Sequence, residues 1–396
     1  MKAKWKAGQI GDVCNVIAGQ SPKGSAYNDQ GVGLPFYQGK KEFRDRHIGP
    51  PTTWTSVITK EGEPGDILMS VRAPVGPINE ATQRICIGRG LAAIRAKDEL
   101  DRDFLWYALL WLQPTIKGSV GAVFDSINKA GIESLPIPVP PLEEQQRIVA
   151  VLDEAFEGLA RARAHAEANL QNARELVATS TDAFCSEVSD GWQQGTMGDF
   201  CTFEGGFAFK SGDTVKESQV QLIRIGNLYQ NVLDLDRKPV FYPNEFADTY
   251  KKFRLNAGDI ILSLTGTVGK QDYGFAVEVP DTERALLLNQ RVARIMPKDA
   301  GTLSPHFLLR FLRSASFLST LYNISRGTRQ ANLSTRDMAD LPMSIPSKSR
   351  QIEIVERLDT IDGGAVQLVN SYEKSIADLD DLRQSLLQTA FAGELT

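Results

Sequence analysis

The stretch "LPIPVPPLEEQQRIVAVLDE" beginning at Leu135 returns in altered form as "LPMSIPSKSRQIEIVERLDT" beginning at Leu341. In both, a Leu-Pro strand end runs into an apolar-periodic helix with Gln, Ile and Leu-Asp at matching offsets. The match is collinear along the chain. "WKAGQIGDVCNVIAGQSP" from Trp5 aligns with "WQQGTMGDFCTFEGGFAF" from Trp192, pairing Gly11 with Gly198, Cys14 with Cys201 and Gly19 with Gly206. "GDILMSVRAPVG" from Gly65 matches "GDIILSLTGTVG" from Gly258, and "DFLWYALL" from Asp103 matches "HFLLRFLR" from His306. "KGSVGAVFDSIN" from Lys117 resembles "RGTRQANLSTRD" from Arg326. The offset grows from 187 residues at Trp5/Trp192 to 209 at Lys117/Arg326, so the second copy carries insertions while the block order is kept. This is a tandem duplication, and the chain must fold as two versions of one architecture.

Each copy has a globular part and a long helix. Short apolar runs such as "GDILMSV" and "DIILSL", set among Gly, Pro and Asn turns with one or two helices, predict a mixed α/β or α+β head. Pro140 and Pro141 open the first long helix, where a missing N–H costs nothing. Apolar or small residues then recur at Ile148, Leu152, Ala155, Leu159, Ala162, Ala166, Leu170, Ala173 and Leu176 or Val177. In the second copy they recur at Ile354, Leu358, Ile361, Ala365, Leu368, Tyr372, Leu379, Leu382 and Leu386. Alternating steps of three and four describe a coiled-coil seam. The expected fold is therefore two heads separated by two long helices that pair as an antiparallel coiled coil, related by an internal pseudo-two-fold. Gly363-Gly364 interrupts the second helix, and a local kink or a close helix approach is expected there.

The chain has 396 residues, 42% apolar and 23% charged, with room for two or three domains. No apolar run approaches the ~20 residues needed to span a bilayer. "MKAKWKAGQIGD" has no apolar stretch after its lysines, so it does not read as a signal peptide. Cys14, Cys86, Cys185 and Cys201 form no CxxC pair. They suit a reduced, cytoplasmic protein without a zinc site.

The net charge of −5 argues at face value against nucleic acid, but the acid is localised. Residues 142–188 carry 4 basic and 9 acidic side chains and 347–396 carry 5 and 9, whereas 1–141 carry 17 and 14 and 189–346 carry 18 and 17. Near-neutral heads leave room for local positive faces.

Catalytic signatures are missing. No GxxxxGK[ST] loop, HExxH or Asn-Pro-Pro-Tyr-type quartet occurs. "FEGGF" at 203–207 shares only one glycine with its repeat partner "VIAGQ", which reads as a turn. His47, His165 and His306 are far apart in sequence and define no triad. No cofactor is expected. The chain reads as a binder and a ruler.

Two similar but non-identical heads suit a target with two non-identical halves, and half-site spacing on duplex DNA is a geometric quantity. Base reading needs Arg, Lys, Asn and Gln on loops, with basic residues for phosphate. The first head offers Gln38, Lys40, Lys41, Arg44 and Arg46 in "YQGKKEFRDRH", then Ser70, Arg72, Arg89 and Lys117. The second offers Arg224, Asn227, Thr265, Thr267 and Lys270, then Asn289, Gln290 and Arg291 in "LLLNQRVAR". "SRGTRQANLS" adds Arg326, Thr328, Arg329, Gln330 and Asn332. A single such residue is more often just solvated; several clusters at equivalent places with different residues are what two specificities require. A stand-alone bipartite DNA-binding regulator and an enzyme of unrecognised motif are the alternatives. The first predicts tight specific binding without partners, the second activity on DNA alone.

"LPIPVPPLEEQQRIVAVLD", the "GDIL"-type strand blocks and the terminal "LRQSLLQTAFAGELT" resemble the specificity subunits of type I restriction–modification systems, along the whole chain. The resemblance implies two DNA target recognition domains, at 1–141 and 189–346, each reading half of a bipartite asymmetric site. It implies helical spacers at 142–188 and 347–396 that set the gap. It further implies no catalytic residues in this chain. Adenine methylation from S-adenosylmethionine belongs to two modification subunits, and ATP-driven translocation and cleavage to restriction subunits. The acidic helix faces would dock the modification subunits. The second junction, "SIPSKSRQ", departs from the family's "PPLEEQ" pattern.

Overall fold

The computed structural model describes residues 5–116, 126–186, 191–324 and 330–395. The chain forms two compact units, Met1–Glu167 with Lys374–Thr396, and Ala168–Glu373. Each draws on both long helices, Leu142–Ser186 and Lys348–Phe391.

In the first unit, Lys6–Gln9 pairs antiparallel with Pro136–Val139, tying the start of the head to the strand that precedes the first long helix. A four-stranded antiparallel sheet follows the order Cys14–Ala18, Leu91–Ala96, Ile67–Ser70, Ile78–Glu80. A second sheet contains one parallel pair, Leu34–Tyr37 beside Ile85–Ile87. The second unit repeats these pairings. Gln193–Thr196 pairs with Pro342–Ile345, and Cys201–Gly205, Val292–Pro297, Ile260–Ser263 and Ala276–Glu278 form the same four-stranded order. Val220–Ile223 lies parallel to Ala285–Leu288. Each head is thus a mixed α+β domain, and the duplication read in the sequence is a duplication of topology.

The shared motifs have shared physical causes. In both "GDI" blocks the glycine turns with positive φ, 88° at Gly65 and 85° at Gly258, which favours glycine. The aspartate behind it accepts a backbone N–H three residues upstream, Glu63 to Asp66 at 2.8 Å and Asn256 to Asp259 at 2.9 Å. The same carboxylates pair with an arginine of the neighbouring strand, Arg95 in one head and Arg294 in the other. All four residues of each following strand are buried.

The junction is equally regular. Gln145 is wholly buried: its Oε1 accepts the Asp101 N–H at 2.7 Å, and its Nε2 donates to Glu99 O at 3.0 Å and Pro140 O at 2.8 Å. Gln351 does the same with Ser304 N–H at 2.7 Å, Thr302 O at 2.8 Å and Pro346 O at 2.9 Å. About two turns further on, Asp153 accepts from the Tyr107 hydroxyl at 2.6 Å, while Asp359 and Asp362 pair with Arg310, at 2.5 and 2.6 Å. The "PPLEEQ" and "SKSRQ" versions therefore make one clamp between each long helix and the helix of its own head, Arg102–Ile116 or Pro305–Leu312.

Ile148 and Leu152, read as seam positions, bury in the first head's core beside Phe104 and Leu105. Ile354 and Leu358 bury equivalently beside Phe307 and Leu308. In the first unit the two long helices run antiparallel: the Arg383 guanidinium lies 4.9 Å from the Phe156 ring, and Arg163 pairs with Asp380. In the second unit Arg174 pairs with Glu373 at 2.7 Å, and Ala173 and Ala365 are buried. The expected heptad does not hold throughout. Ala162 is exposed, Leu368 and Leu382 are 42% and 48% exposed, and Val369 and Ile376 are the half-buried positions instead. A straight helix at 3.6 residues per turn drifts off a 3.5-residue repeat by about 20° per heptad, which moves the contact stripe by one position.

Gly363 and Gly364 also differ from expectation. The helix is continuous through them, and a Cβ at either would meet open space, so no close approach explains the pair. Gly363→Ala with Gly364→Ala should therefore stabilise the protein by about 1 kcal/mol per site in urea unfolding; a loss would mean the glycines serve a packing or bending role.

Candidate nucleic-acid interface

In each head the parallel strand pair and the first strand of the four-stranded sheet bring three loops together. Gly90 N–H donates to Gln38 O at 3.1 Å, and Gly19 N–H to Leu91 O at 2.9 Å, joining the loops at 19, 38 and 89. In the second head Asn289 N–H donates to Ile223 O at 3.3 Å and Gln290 N–H to Phe207 O at 3.0 Å, joining the loops at 207, 224 and 290. The strand registers place Gln38 at the position of Arg224, and Arg89 at that of Gln290. Arg72 bridges Ser126 where Thr265 pairs with Asn332. Three equivalent loop positions thus carry Gln/Arg, Arg/Gln and Arg/Thr.

In the first head Gln38, Lys40, Lys41, Arg44, Arg72 and Arg89 are exposed. Arg46 is engaged internally. Its guanidinium pairs with Glu80 at 3.0 Å and with Asp103, and lies 5.3 Å from the Trp106 ring. Ser70 is buried, its hydroxyl donating to Arg72 O at 3.2 Å. Lys117 lies outside the described residues.

In the second head Thr267, Lys270, Gln290, Arg291, Gln330 and Asn332 are exposed and Asn289 is half-buried. The antiparallel ribbon of Thr265–Thr267 and Gln330–Asn332 brings two sequence clusters side by side. Asp272 fixes its tip by accepting Thr267 N–H at 2.7 Å and Thr267 Oγ1–H at 2.8 Å, and these bonds hold its carboxyl below the usual carboxylate range. Asn227 is buried and structural: Nδ2 donates to Asp234 O and Arg237 O, and Oδ1 accepts from Arg224 N–H. Arg224 Nη2 donates to Lys238 O at 2.9 Å. Thr265 is buried, its hydroxyl without a partner among the described residues. Arg326, Thr328 and Arg329 lie outside the described residues.

A cleft of about 450 Å³ opens beside the ribbon, walled by Tyr229, Phe275, Thr265, Thr267, Asp272 and Gln330 with Arg237 at its edge. A second cleft of about 390 Å³ lies among Arg224, Ile225, Gly226 and Asn289–Arg291. Ile225 and Gly226 line both, so Arg224, Thr267, Asn289, Gln290, Arg291 and Gln330 border one continuous surface. Tyr229 and Arg237 were not among the sequence candidates. The signal for Tyr229 is the alternation in "LYQNVL" around a turn-forming Gln-Asn pair; Arg237, four residues beyond it, has none.

Among the described residues no group of three or more His, Cys, Asp or Glu side chains is placed to hold a metal ion. All four cysteines are buried and unpaired, and burial pushes the Cys14, Cys185 and Cys201 thiols up to about 12, leaving them protonated at neutral pH. Among the described residues no helix is long and apolar enough to cross a membrane.

Residues 2–165 and 189–377 match the family described as Type I restriction modification DNA specificity domain. A putative type I restriction enzyme MjaX specificity subunit from Methanocaldococcus jannaschii is 40% identical over 177 residues, covering 44% of this chain and 41% of that relative. The type I restriction enzyme EcoBI specificity subunit of Escherichia coli is 21% identical over 99% of this chain and 86% of its own length. Among solved structures, a chain from work on complex assembly and conformational transition of the type I R-M system superposes with a TM-score of 0.74 at 19% identity, covering 100% of this chain and 99% of that one. The HsdS subunit from Thermoanaerobacter tengcongensis gives 0.63 at 19% identity, covering 100% and 98%. At that identity these two likenesses speak to the fold.

Proposed function

Because the chain belongs to the type I restriction–modification DNA specificity family, we propose that it is the DNA-recognition subunit of such a complex, in which its two heads each read one half of a bipartite, asymmetric site. The observation that carries this reading is the pair of equivalent loop positions, Gln38/Arg224 and Arg89/Gln290, where one scaffold presents different hydrogen-bonding groups. Identical heads would read a palindrome; divergent loops on one topology read two different half-sites.

Residues 1–141 and 189–346 act as the recognition domains, and 142–188 and 347–396 as spacers that set the gap. The exposed candidates contact DNA, whereas Arg46, Ser70 and Asn227 hold the loops that present them. The acidic spacers are disfavoured near phosphate and instead dock two modification subunits, which methylate adenine, and the restriction subunits complete the complex in the cytoplasm. The chain itself is non-catalytic.

The test is to co-express the chain with its modification subunit and map methylated adenines across a genome. A bipartite motif with a fixed gap is expected, and its absence overturns the reading. Exchanging residues 1–141 for those of a relative should alter one half of the motif only. A change in both halves would refute the division of labour.

A further inference from the structure

The second head carries an element that the first lacks. Leu228–Tyr229 pairs antiparallel with Val232–Leu233 across the two-residue turn Gln230-Asn231, whose φ values are 50° and 62°. Two central residues at positive φ make the hairpin turn whose twist matches its strands. In the first head the corresponding segment, between the one-turn helix Lys40–Glu42 and the strand Trp54–Thr55, forms no hairpin among the described residues; its His47 instead makes a single parallel bridge to Glu80.

Left-handed backbone at Gln and Asn costs energy unless surrounding contacts fix it. Here they do. Asn231 Oδ1 accepts Ala276 N–H at 3.0 Å, and Asn231 O accepts from Arg313 Nη2 at 3.2 Å. The same guanidinium donates Nε–H to Ala276 O at 2.9 Å. Arg313 has no carboxylate within 4.0 Å among the described residues, so its fork is spent on two carbonyls, stapling the hairpin tip to the strand Ala276–Glu278. It lies one turn beyond Arg310, which binds Asp359 and Asp362 of the second long helix.

The hairpin's outer surface is not that of a buried packing element. Tyr229 is 49% and Val232 62% exposed. The Arg237 guanidinium sits 5.0 Å from the Tyr229 ring, with no carboxylate within 4.0 Å among the described residues, and the Phe275 ring meets Tyr229 edge-on at 5.8 Å. Nearby acids are already engaged: Asp236 pairs with Arg284 at 3.1 Å, Asp234 accepts backbone N–H groups, and Asp272 holds Thr267. A two-stranded ribbon that carries Tyr229, with Arg237 reaching that ring from the segment that follows and Thr267 and Gln330 alongside, has the size of an element that enters a major groove and the groups to contact base edges there.

We propose that the hairpin Leu228–Leu233 is the specificity-determining element of the second head, with Tyr229 and Arg237 contacting base pairs of the second half-site and Arg313 as the residue that positions it. The proposal rests on the DNA-recognition reading above. It predicts a difference between the heads: the first reads with loops alone, the second with loops and a stapled ribbon.

The test uses the full chain co-expressed with its modification subunit, with methylation mapped for Tyr229→Ala, Arg237→Ala and Arg313→Lys. Lysine keeps the charge of Arg313 but lacks the rigid planar fork whose Nε and Nη2 reach the two carbonyls. Methylation at sites mismatched in the second half should rise about tenfold or more in the first two variants. Arg313→Lys should relax the same base positions more weakly, and the first half should stay strict throughout. An unchanged motif in all three variants overturns the proposal. So does a uniform fall in methylation with the motif intact, which would make the hairpin a docking surface for a protein subunit or Arg313 merely structural. A wild-type map without any gapped motif would instead sink the DNA-recognition reading itself.

Discussion

Gln145→Ala should lower the stability of the first head by about 3–5 kcal/mol, and Gln351→Ala should do the same to the second. Each substitution removes three hydrogen bonds from a wholly buried site and strands one N–H and two carbonyls. An orphaned buried polar group costs about 1–3 kcal/mol, and the amide leaves a cavity besides. Urea unfolding measures the total. Hydrogen exchange at the Asp101 and Ser304 amides gives the local reading, because those N–H groups lose their acceptor. A loss below about 1 kcal/mol would mean that water or a rearranged loop replaces the clamp.

Gln145→Glu separates hydrogen bonding from shape. The carboxylate can still accept the Asp101 N–H, but it faces Glu99 O and Pro140 O without a proton to give them. Burial and those two carbonyls would raise its folded pKa above the unfolded value of about 4.3. A group with a raised folded pKa contributes stability that is present below the unfolded pKa and lost as pH rises through the folded one. The variant should therefore approach wild type at acid pH and fall away towards neutrality.

The junction also marks how far sequence reasoning reached. The repeat of Gln, Ile and Leu-Asp was visible because covalent order preserves it, and those residues are the clamp, two core anchors and a helix-to-head bond. The mixed sheets were visible through "GDI" turns and apolar runs. The make-up of the compact units was not. Lys374–Thr396 joins the first head, where Phe391 stacks on Trp111 at 5.2 Å, and no local pattern announces a contact between residues 280 positions apart. Arg46 read as a DNA contact because it stands in a basic cluster; its partners Glu80 and Asp103 lie 34 and 57 residues away. Tyr229 is hidden in the sequence for the opposite reason. An aromatic residue in an apolar-looking run reads as core until the fold shows it at a hairpin's edge.

Gly206→Ala should both destabilise the second head and relax the second half of the recognised motif, and Gly19→Ala should do so for the first. A Cβ on Gly19 would overlap the carbonyl oxygens of Gly88 and Leu91, and one on Gly206 those of Asn289 and Leu288. These obstacles are backbone, so no side chain can swing aside. Relief requires the strand end to separate from the loop that carries Arg89 in one head and Asn289–Arg291 in the other. Overpacking of this kind costs about 1–3 kcal/mol, occasionally more. A loop displaced even slightly loses the short distances on which base discrimination depends. The matched control is Gly205→Ala, one residue away, where a Cβ meets open space. Thermal unfolding and methylation mapping should find that control close to wild type and Gly206→Ala impaired in the second half alone. Equal behaviour of the two variants would mean that the loop tolerates the displacement, and that the glycine shared by both copies serves the strand rather than the reading surface.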